Sequence, residues 1–343
     1  MSVTLADIAR ELGVSKMTVS RAINNDPLVK GKTRDRVLEV SRRLNYQPNH
    51  YARALATNRS FLIGVIVPDL MHSYFAEILH GIGAFARSAN FQIVIGNSEE
   101  HVAREISEVE ALRWRTDGLI IAPAVPESKV DVYRSMINDG TKIVLIDRTL
   151  NGLDCPMVTT DNVAVGAIAT EHLIRLGHKR IGHLRGTTTS SSKERLEGYK
   201  QALSKNDIAF HKSLVRECGL MESDGYNAMR AWIKAGDLPT AVFAVNDPTA
   251  IGAMQAMAEA GLIIGEDIAI VGSGNIHYGD MLSVPLTTVS WSRSEMGQSA
   301  VRLLIQLIEG GNHDSGQQKV ILSPSLIVRQ SCGAKQSSIA VRS

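Results

Sequence analysis

Two groups of side chains in this 343-residue chain have types and spacing suited to recognition. The first is Lys16, Met17, Thr18, Ser20, Arg21 and Asn24. At helical spacing these positions lie outward when Val19, Ala22 and Ile23 face a core. An arginine there can take a guanine edge with two hydrogen bonds in a major groove, whose width admits one helix. Thr18, Ser20 and the amides at the helix start can hold phosphates. The second group is polar residues that directly follow apolar, β-rich runs: Asp69, Asp147 with Arg148, Asn246 with Asp247, and Asn275. In open α/β sheets ligands bind at such strand ends. The same residue types also close loops and cap helices, and Asp247 suits the N-cap of its own helix.

Catalytic chemistry finds little support. Gly272-Ser-Gly274 lacks the third glycine of a dinucleotide fingerprint and comes late in the chain. Ser190-Ser191-Ser192 lies in no GxSxG elbow. His72, His80, His172, His178, His183 and His277 show no paired metal-ligand spacing. Cys155, Cys218 and Cys332 are too far apart for a zinc knuckle or a disulfide framework. No cofactor, metal or enzymatic activity is expected. No long uncharged apolar run predicts a membrane span, no signal pattern opens the chain, and a reducing cytoplasm is the expected compartment.

The elements that must hold the first group are helices. Thr4-Leu-Ala-Asp7 reads as a helix start, with Leu5, Ile8, Ala9 and Leu12 at helical spacing and Gly13 as the stop. Ser15 caps a second helix, Lys16 to Asn24, and Asn24-Asn-Asp-Pro27 is a turn. A third helix, from about Thr33 to Asn45, puts Val37, Val40, Ser41 and Leu44 on one face. Residues 1–60 carry eleven Lys/Arg against five Asp/Glu, and the remainder 26 against 30, so a basic head precedes a slightly acidic body. That asymmetry fits a polyanion-binding module joined to something else.

The sequence Thr4-Leu-Ala-Asp-Ile-Ala-Arg-Glu-Leu-Gly-Val-Ser-Lys-Met-Thr-Val-Ser-Arg21-Ala-Ile-Asn24 closely resembles the head of the lac repressor (LacI/GalR) family of bacterial transcription regulators. Thr33-Arg34, Leu44-Asn-Tyr-Gln-Pro-Asn49 and Ala52-Arg-Ala-Leu55 extend the resemblance, which continues along nearly the whole chain. It implies that Lys16 and Met17 set operator preference and that Arg21 is the base-contacting arginine. The DNA-contacting set expected is Thr4, Ser15, Lys16, Met17, Thr18, Ser20, Arg21, Asn24, Asn49 and Leu55. Asn49 to Ala56 corresponds to a hinge helix, too short to persist alone in water. Leu55 matches the leucine that wedges between base pairs in the minor groove. Lys30 departs from the serine that usually caps the third helix, so residues 29–32 start that helix differently.

From residue 61 the pattern becomes alternating strands and helices. Phe61–Val67 is an apolar run, followed by helix 74–89, strand 92–96, helix 102–114, strand 118–122, helix 127–139 and strand 142–147. A second set from about Val158 includes helix 163–176, strand 180–185, helices 192–205 and 222–235, strand 241–245, helix 247–260 and strand 268–272. The expected fold is an all-α helix-turn-helix head (1–47), a linker (48–60) and an α/β body (61–343) of two doubly wound parallel-sheet lobes. This body resembles the periplasmic-binding-protein fold of the family's effector domain. The resemblance implies three crossings between lobes, near 158–162, 286–292 and 320–325. Lobe one then takes about 61–158 and 292–320, with a last helix at 295–309. Lobe two takes about 162–286 and 324–332, with Val320–Val328 returning toward it.

Asp69, Tyr74, Phe75, Arg148, Asp161, Ser191, Arg195 and Asn246 match positions that line the family's effector cleft. Arg195 matches the arginine whose planar fork binds ligand oxygens. Asn275 and Trp291 complete the expected set. Two departures alter the ligand expected. Gly274 stands where relatives carry an aspartate, and Trp291 where they tend to carry glutamine. Losing a carboxylate while gaining an indole favours a more anionic or more apolar ligand. Leu220, where some relatives place a stacking aromatic, points the same way. The function implied is a transcription regulator, expected to be a repressor, controlled by a small sugar or sugar-acid effector. Its partners are then a palindromic double-stranded operator and a second copy of the chain. The tail 335–343 has no leucine heptads, so a homodimer is expected, cytoplasmic and nucleoid-associated when bound to DNA. A pure solute-binding protein fits the body but not the basic head. A dehydrogenase lacks its fingerprint.

Overall fold

The computed structural model describes residues 3–23, 25–46, 54, 57, 59–310 and 318–334. The expectations for Asn24, Asn49, Leu55 and the C-terminal tail lie outside these residues. The chain divides into two units, residues 1–60 and 61–343.

The first unit holds α1 (Leu5–Leu12), α2 (Lys16–Ile23) and α3 (Gly31–Arg43). The Thr4 amide and Oγ1 both donate to Asp7 Oδ2, at 3.0 and 2.7 Å, and the side-chain bond from Thr4 holds the Asp7 carboxyl below its usual range. Gly13 ends α1 in the left-handed region (φ 65°), as its missing Cβ allows. Ile8, Ala9, Val19, Ala22, Val29, Val37 and Val40 form the core, with Leu5, Leu12, Ile23 and Leu44 packed around it. The third helix starts at Gly31, two residues before the expected Thr33. Lys30 occupies the N-cap without a side-chain cap, and Arg34 Nη2 instead donates to the carbonyls of Asp26 (2.8 Å) and Val29 (3.2 Å). One guanidinium thereby staples the turn to the helix.

The second unit has two sheets. The first, in the order β11-β5-β4-β3-β1-β2, is parallel throughout. Its strands are β1 (Leu62–Val67), β2 (Gln92–Asn97), β3 (Gly118–Ile121), β4 (Ile143–Ile146), β5 (Met157–Thr160) and β11 (Lys319–Leu322). The second runs β12-β10-β9-β8-β6-β7, with β6 (Ile181–Leu184), β7 (Val215–Arg216), β8 (Ala241–Ala244), β9 (Ala269–Ser273), β10 (Thr287–Ser290) and β12 (Ser325–Ile327). Its edge strand β12 pairs antiparallel with β10 and the rest are parallel. Helices α4 (Ser73–Ser88), α5 (Val102–Arg113), α6 (Val130–Asn138) and α11 (Arg293–Ile308) accompany the first sheet. With the second go α7 (Asn162–Arg175), α8 (Ser190–Lys205), α9 (Glu222–Ala235) and α10 (Asp247–Glu259). The central strands of both sheets are buried on both faces, which is why they read as continuous apolar runs.

Several boundaries differ from the sequence reading. Val158 belongs to β5 of the first sheet rather than opening the second set, while the first crossing follows Thr160, within the expected 158–162. Residues 287–290, expected as a crossing, form a strand of the second sheet. The run 320–328 is two strands in different sheets, broken at Ser323-Pro324, where a proline without an N–H leaves the ladder. Helix α8 begins at Ser190 because Thr189, rather than a later serine, accepts the Ser192 amide. Helix α11 begins at Arg293, capped by Ser292, two residues before the expected Glu295.

Candidate DNA-reading helix and effector cleft

In the first unit, Ser15 Oγ accepts the Thr18 amide at 3.1 Å and contacts Thr18 Oγ1 at 2.9 Å, so Ser15 caps α2 as expected. Val19 and Ala22 are buried, which turns Lys16, Met17 and Arg21 to solvent and leaves Thr18 and Ser20 half-buried. Met17 is 61% exposed and stands on the outward face of α2 beside Lys16 and Arg21. Arg21 Nε lies 3.6 Å from Asp26 Oδ2. So exposed an ion pair is worth at most about 1 kcal/mol, so the guanidinium can exchange it for a stronger planar partner.

The second unit has a cleft of about 510 Å³ between its two sheets. Asp69, Tyr74, Phe75, Arg148, Ser191, Arg195, Asn246 and Trp291 line it. Asp161 and Asn275, expected with them, are not among its lining residues. Asp161 caps α7, accepting the Ala164 amide at 2.8 Å, and Asn275 Oδ1 accepts from Arg329 Nη2 at 2.9 Å. The α10 cap is Asn246, not Asp247. Asp247 is buried in the cleft wall, with Oδ1 accepting from Thr288 Oγ1 (2.6 Å) and Oδ2 from the Ile276 amide (2.7 Å). Burial raises its pKa, against the pull of those two bonds.

Two buried arginines face the cleft in opposite electrostatic states. Arg148 is 4% exposed and donates to both Glu100 oxygens, at 2.8 and 2.6 Å, and to the Pro123 carbonyl at 3.3 Å. Burial alone would lower its pKa, but the bonds and charge of Glu100 carry it above the ordinary value. Arg195 is 6% exposed. Its Nε donates to Asn162 Oδ1 at 3.0 Å, and Nη1 to the Val245 carbonyl (2.5 Å) and Ser273 Oγ (3.0 Å). Among the described residues no carboxylate pairs with it, and burial lowers its pKa. Its guanidinium stands over the Trp291 ring, 5.2 Å from the centroid. Trp291 Nε1 donates to Tyr74 Oη at 3.2 Å, and Tyr74 Oη donates to Asp147 Oδ1 at 2.6 Å. Burial, then the neighbouring Asp147, holds the Tyr74 hydroxyl well above the usual phenol range, so it stays a neutral donor.

Backbone packing aims Arg195. A Cβ on Gly198 would strike the Val163 carbonyl, and one on Gly166 the Arg195 carbonyl. The paired glycines let α7 and α8 meet closely, which brings Asn162 to the Arg195 fork. Sequence reasoning did not select His72, Glu100 or the buried Glu105. Glu105 takes the amides of Ala124 (2.5 Å) and Val125 (3.2 Å) and the Tyr133 hydroxyl (2.5 Å), fixing the 123–126 wall of the cleft. An acid between Val102 and Val109 at helical spacing was its only signal in the sequence.

Residues 4–49 match the family model of bacterial regulatory proteins, lacI family, and residues 170–332 match a periplasmic binding protein-like domain. The HTH-type transcriptional repressor PurR of Pasteurella multocida (strain Pm70) is 33% identical over 332 residues, 96% of this chain and 98% of that protein. The chain belongs to the lacI family of bacterial regulatory proteins. A crystal structure of the lac repressor dimer bound to operator and the anti-inducer ONPF matches this LacI-family chain at a TM-score of 0.86 and 30% identity, covering 97% of it and 100% of the other. The complex of the transcriptional regulator CelR with cellobiose matches at 0.72 and 26% identity, covering 96% and 99%. The chain is a DNA-binding transcriptional repressor, not an enzyme, and its body is the two-lobed α/β fold of its relatives. Among the described residues no helix is long and apolar enough to cross a membrane, and no group of residues could hold a metal ion.

Proposed function

We propose that this repressor is controlled by a small, sugar-like effector bearing an acidic group, held in the cleft between the two lobes. The observation that carries the reading is Arg195: a buried guanidinium with no carboxylate partner, in a cleft where the other buried arginine is fully paired. An unpaired buried cation is costly, and an anionic ligand offsets that cost while making charge-assisted bonds to the fork. Asp147, Asn246 and Ser191 offer hydroxyl partners around it. The repressor then acts as a homodimer on a palindromic operator, with half-sites about 10 bp apart, as expected for paired recognition helices. Thr4, Ser15, Lys16, Met17, Thr18, Ser20 and Arg21 form its DNA-facing set, with Asn24, Asn49 and Leu55 assigned from sequence. In the cell it is cytoplasmic and nucleoid-associated when bound.

Calorimetry with D-glucuronate, D-gluconate and D-glucose tests the reading. The acids should bind at least about tenfold more tightly than glucose, a gap of about 1.4 kcal/mol. Arg195→Gln should erase that preference. Tight binding of the neutral hexose, abolished by Arg195→Gln alone, would refute the acidic version.

A further inference from the structure

His72 stands at the N-terminus of α4 on lobe one and lines the cleft opposite Asn246 of lobe two. Its Nδ1 accepts the Tyr74 amide at 3.4 Å, capping α4. Its Nε2 faces Asn246 Nδ2 at 3.4 Å. The orientation of Asn246 is fixed by two other bonds. Its Oδ1 takes the Thr249 amide at 2.9 Å as the α10 cap, and its Nδ2 donates to the Leu220 carbonyl at 2.8 Å. Turning the amide over would set the oxygen against a carbonyl and the NH2 against an amide N–H. The ring cannot turn over without abandoning the α4 cap. A neutral imidazole has one N–H, and an Nδ1 that accepts leaves that proton on Nε2. Burial holds His72 neutral, as does its place at the positive end of a helix. Two donors, one from each lobe, therefore face each other across the cleft without an acceptor between them.

We infer that His72 Nε2–H and Asn246 Nδ2–H form a two-donor clamp that takes one acceptor oxygen of the effector, a carboxylate or carbonyl oxygen rather than a group that must donate. This rests on the reading of the cleft as the effector site and adds a specificity-determining residue to it. An oxygen bound there bonds both lobes at once, so the clamp also ties ligand chemistry to the lobes' relative position. A buried donor left without an acceptor is penalised, so a ligand lacking an oxygen at this point should bind about tenfold more weakly.

Two measurements on the full-length protein test the clamp. In long-range 1H–15N spectra of histidine-labelled protein without ligand, His72, assigned from the His72→Asn spectrum, should be the Nε2–H tautomer. An Nδ1–H tautomer would make Nε2 an acceptor for Asn246 and overturn the inference. With D-glucuronate as probe, the His72 Nε2 resonance should shift on binding. His72→Asn, which keeps a capping oxygen, should lose about tenfold in affinity at an unchanged melting temperature, whereas His72→Ala also loses the cap. Glucuronate that binds through Arg195 with His72 unshifted and His72→Asn undiminished would sink the clamp and leave the acid-binding reading standing. Failure of glucuronate, gluconate and glucose alike to bind would count against that reading, and the tautomer then decides the clamp by itself.

Discussion

His183 offers a stability test that does not depend on any ligand. Its ring is fully buried on β6, stacked on Phe243 (centroids 4.6 Å apart, 5° between planes) and on Tyr199 (5.2 Å, 25°). Nδ1 lies 2.9 Å from the Phe243 carbonyl, and Nε2 has no hydrogen-bond partner among the described residues. Burial pushes its pKa down from 6.5 to about 4. The unfolded chain therefore binds a proton that the folded chain refuses between those values. Stability from this group is fully present above pH 6.5 and is lost as pH falls toward about 4. At pH 5.0 the unfolded imidazole is nearly all protonated and the folded one about a tenth, so the loss from pH 7.5 to pH 5.0 is about 2 kcal/mol. His183→Phe keeps the aromatic stack and removes the titration. Urea denaturation at the two pH values, followed by tryptophan fluorescence, should show the variant losing about 2 kcal/mol less than wild type over that interval. Equal losses in both proteins would mean that His183 is accessible to protons in the folded state, and the account of the lobe-two core would be wrong.

Arg21→Ala should remove about 1–3 kcal/mol of discrimination at a single operator base pair, read by gel-shift against operators altered one pair at a time. Leu55→Ala should weaken operator binding with effector affinity unchanged; equal operator affinity for both proteins would remove the minor-groove wedge. Glu105→Ala strands two backbone amides and the Tyr133 hydroxyl, and at about 1–3 kcal/mol for each buried unpaired group it should destabilise lobe one by several kcal/mol in urea titrations.

What was legible in the sequence was whatever depends on neighbours within a few residues. The caps of Thr4 and Ser15, the Gly13 stop and the apolar strand runs are local, and local rules place them. Strand-end polar residues were not separable in this way. Asp161, Asn246 and Asn275 are the same kind of residue in the same kind of place. Asp161 and Asn246 each cap a helix through an amide three residues on, a local role, but only distant partners decide that Asn275 is held by Arg329 from 54 residues away and that Asn246 also faces the cleft. Arg148 was expected beside Arg195 among the cleft residues, and nothing near it in sequence shows that Glu100, 48 residues upstream, neutralises it. The break at Ser323-Pro324 carried a sequence signal in its proline, but the flanking apolar pattern outweighed it.

The cleft's construction explains why a small molecule can govern a protein of this size. The lobes are tied across the cleft by individual polar contacts. Thr149 N donates to Ser190 Oγ at 2.9 Å, and Arg293 Nη2 donates to the Asn275 carbonyl at 2.9 Å while its Nε donates to Glu77 at 2.6 Å. Across the same cleft His72 Nε2 faces Asn246 Nδ2 at 3.4 Å, which on the inferred tautomer adds no bond. Bonds of this kind contribute about 0.5–1.5 kcal/mol each, so two lobe arrangements can lie within a few kcal/mol of one another. Moving such an equilibrium from 1:99 to 99:1 takes about 5.5 kcal/mol of differential affinity. An effector held only by lobe two would bind both arrangements alike and shift nothing. In the proposed reading, an effector with its acid group on Arg195, an oxygen shared by His72 and Asn246 and hydroxyls on Asp147 spans both lobes. Only the bonds to lobe one differ between the arrangements: one to His72 at about 0.5–1.5 kcal/mol and one to the Asp147 carboxylate at about 1.5–3 kcal/mol, together a shift of about 2–4.5 kcal/mol. On the proposed reading, Arg195 on lobe two holds the acid group in either arrangement, and the lobe-one groups His72 and Asp147 supply the difference in affinity that turns the switch.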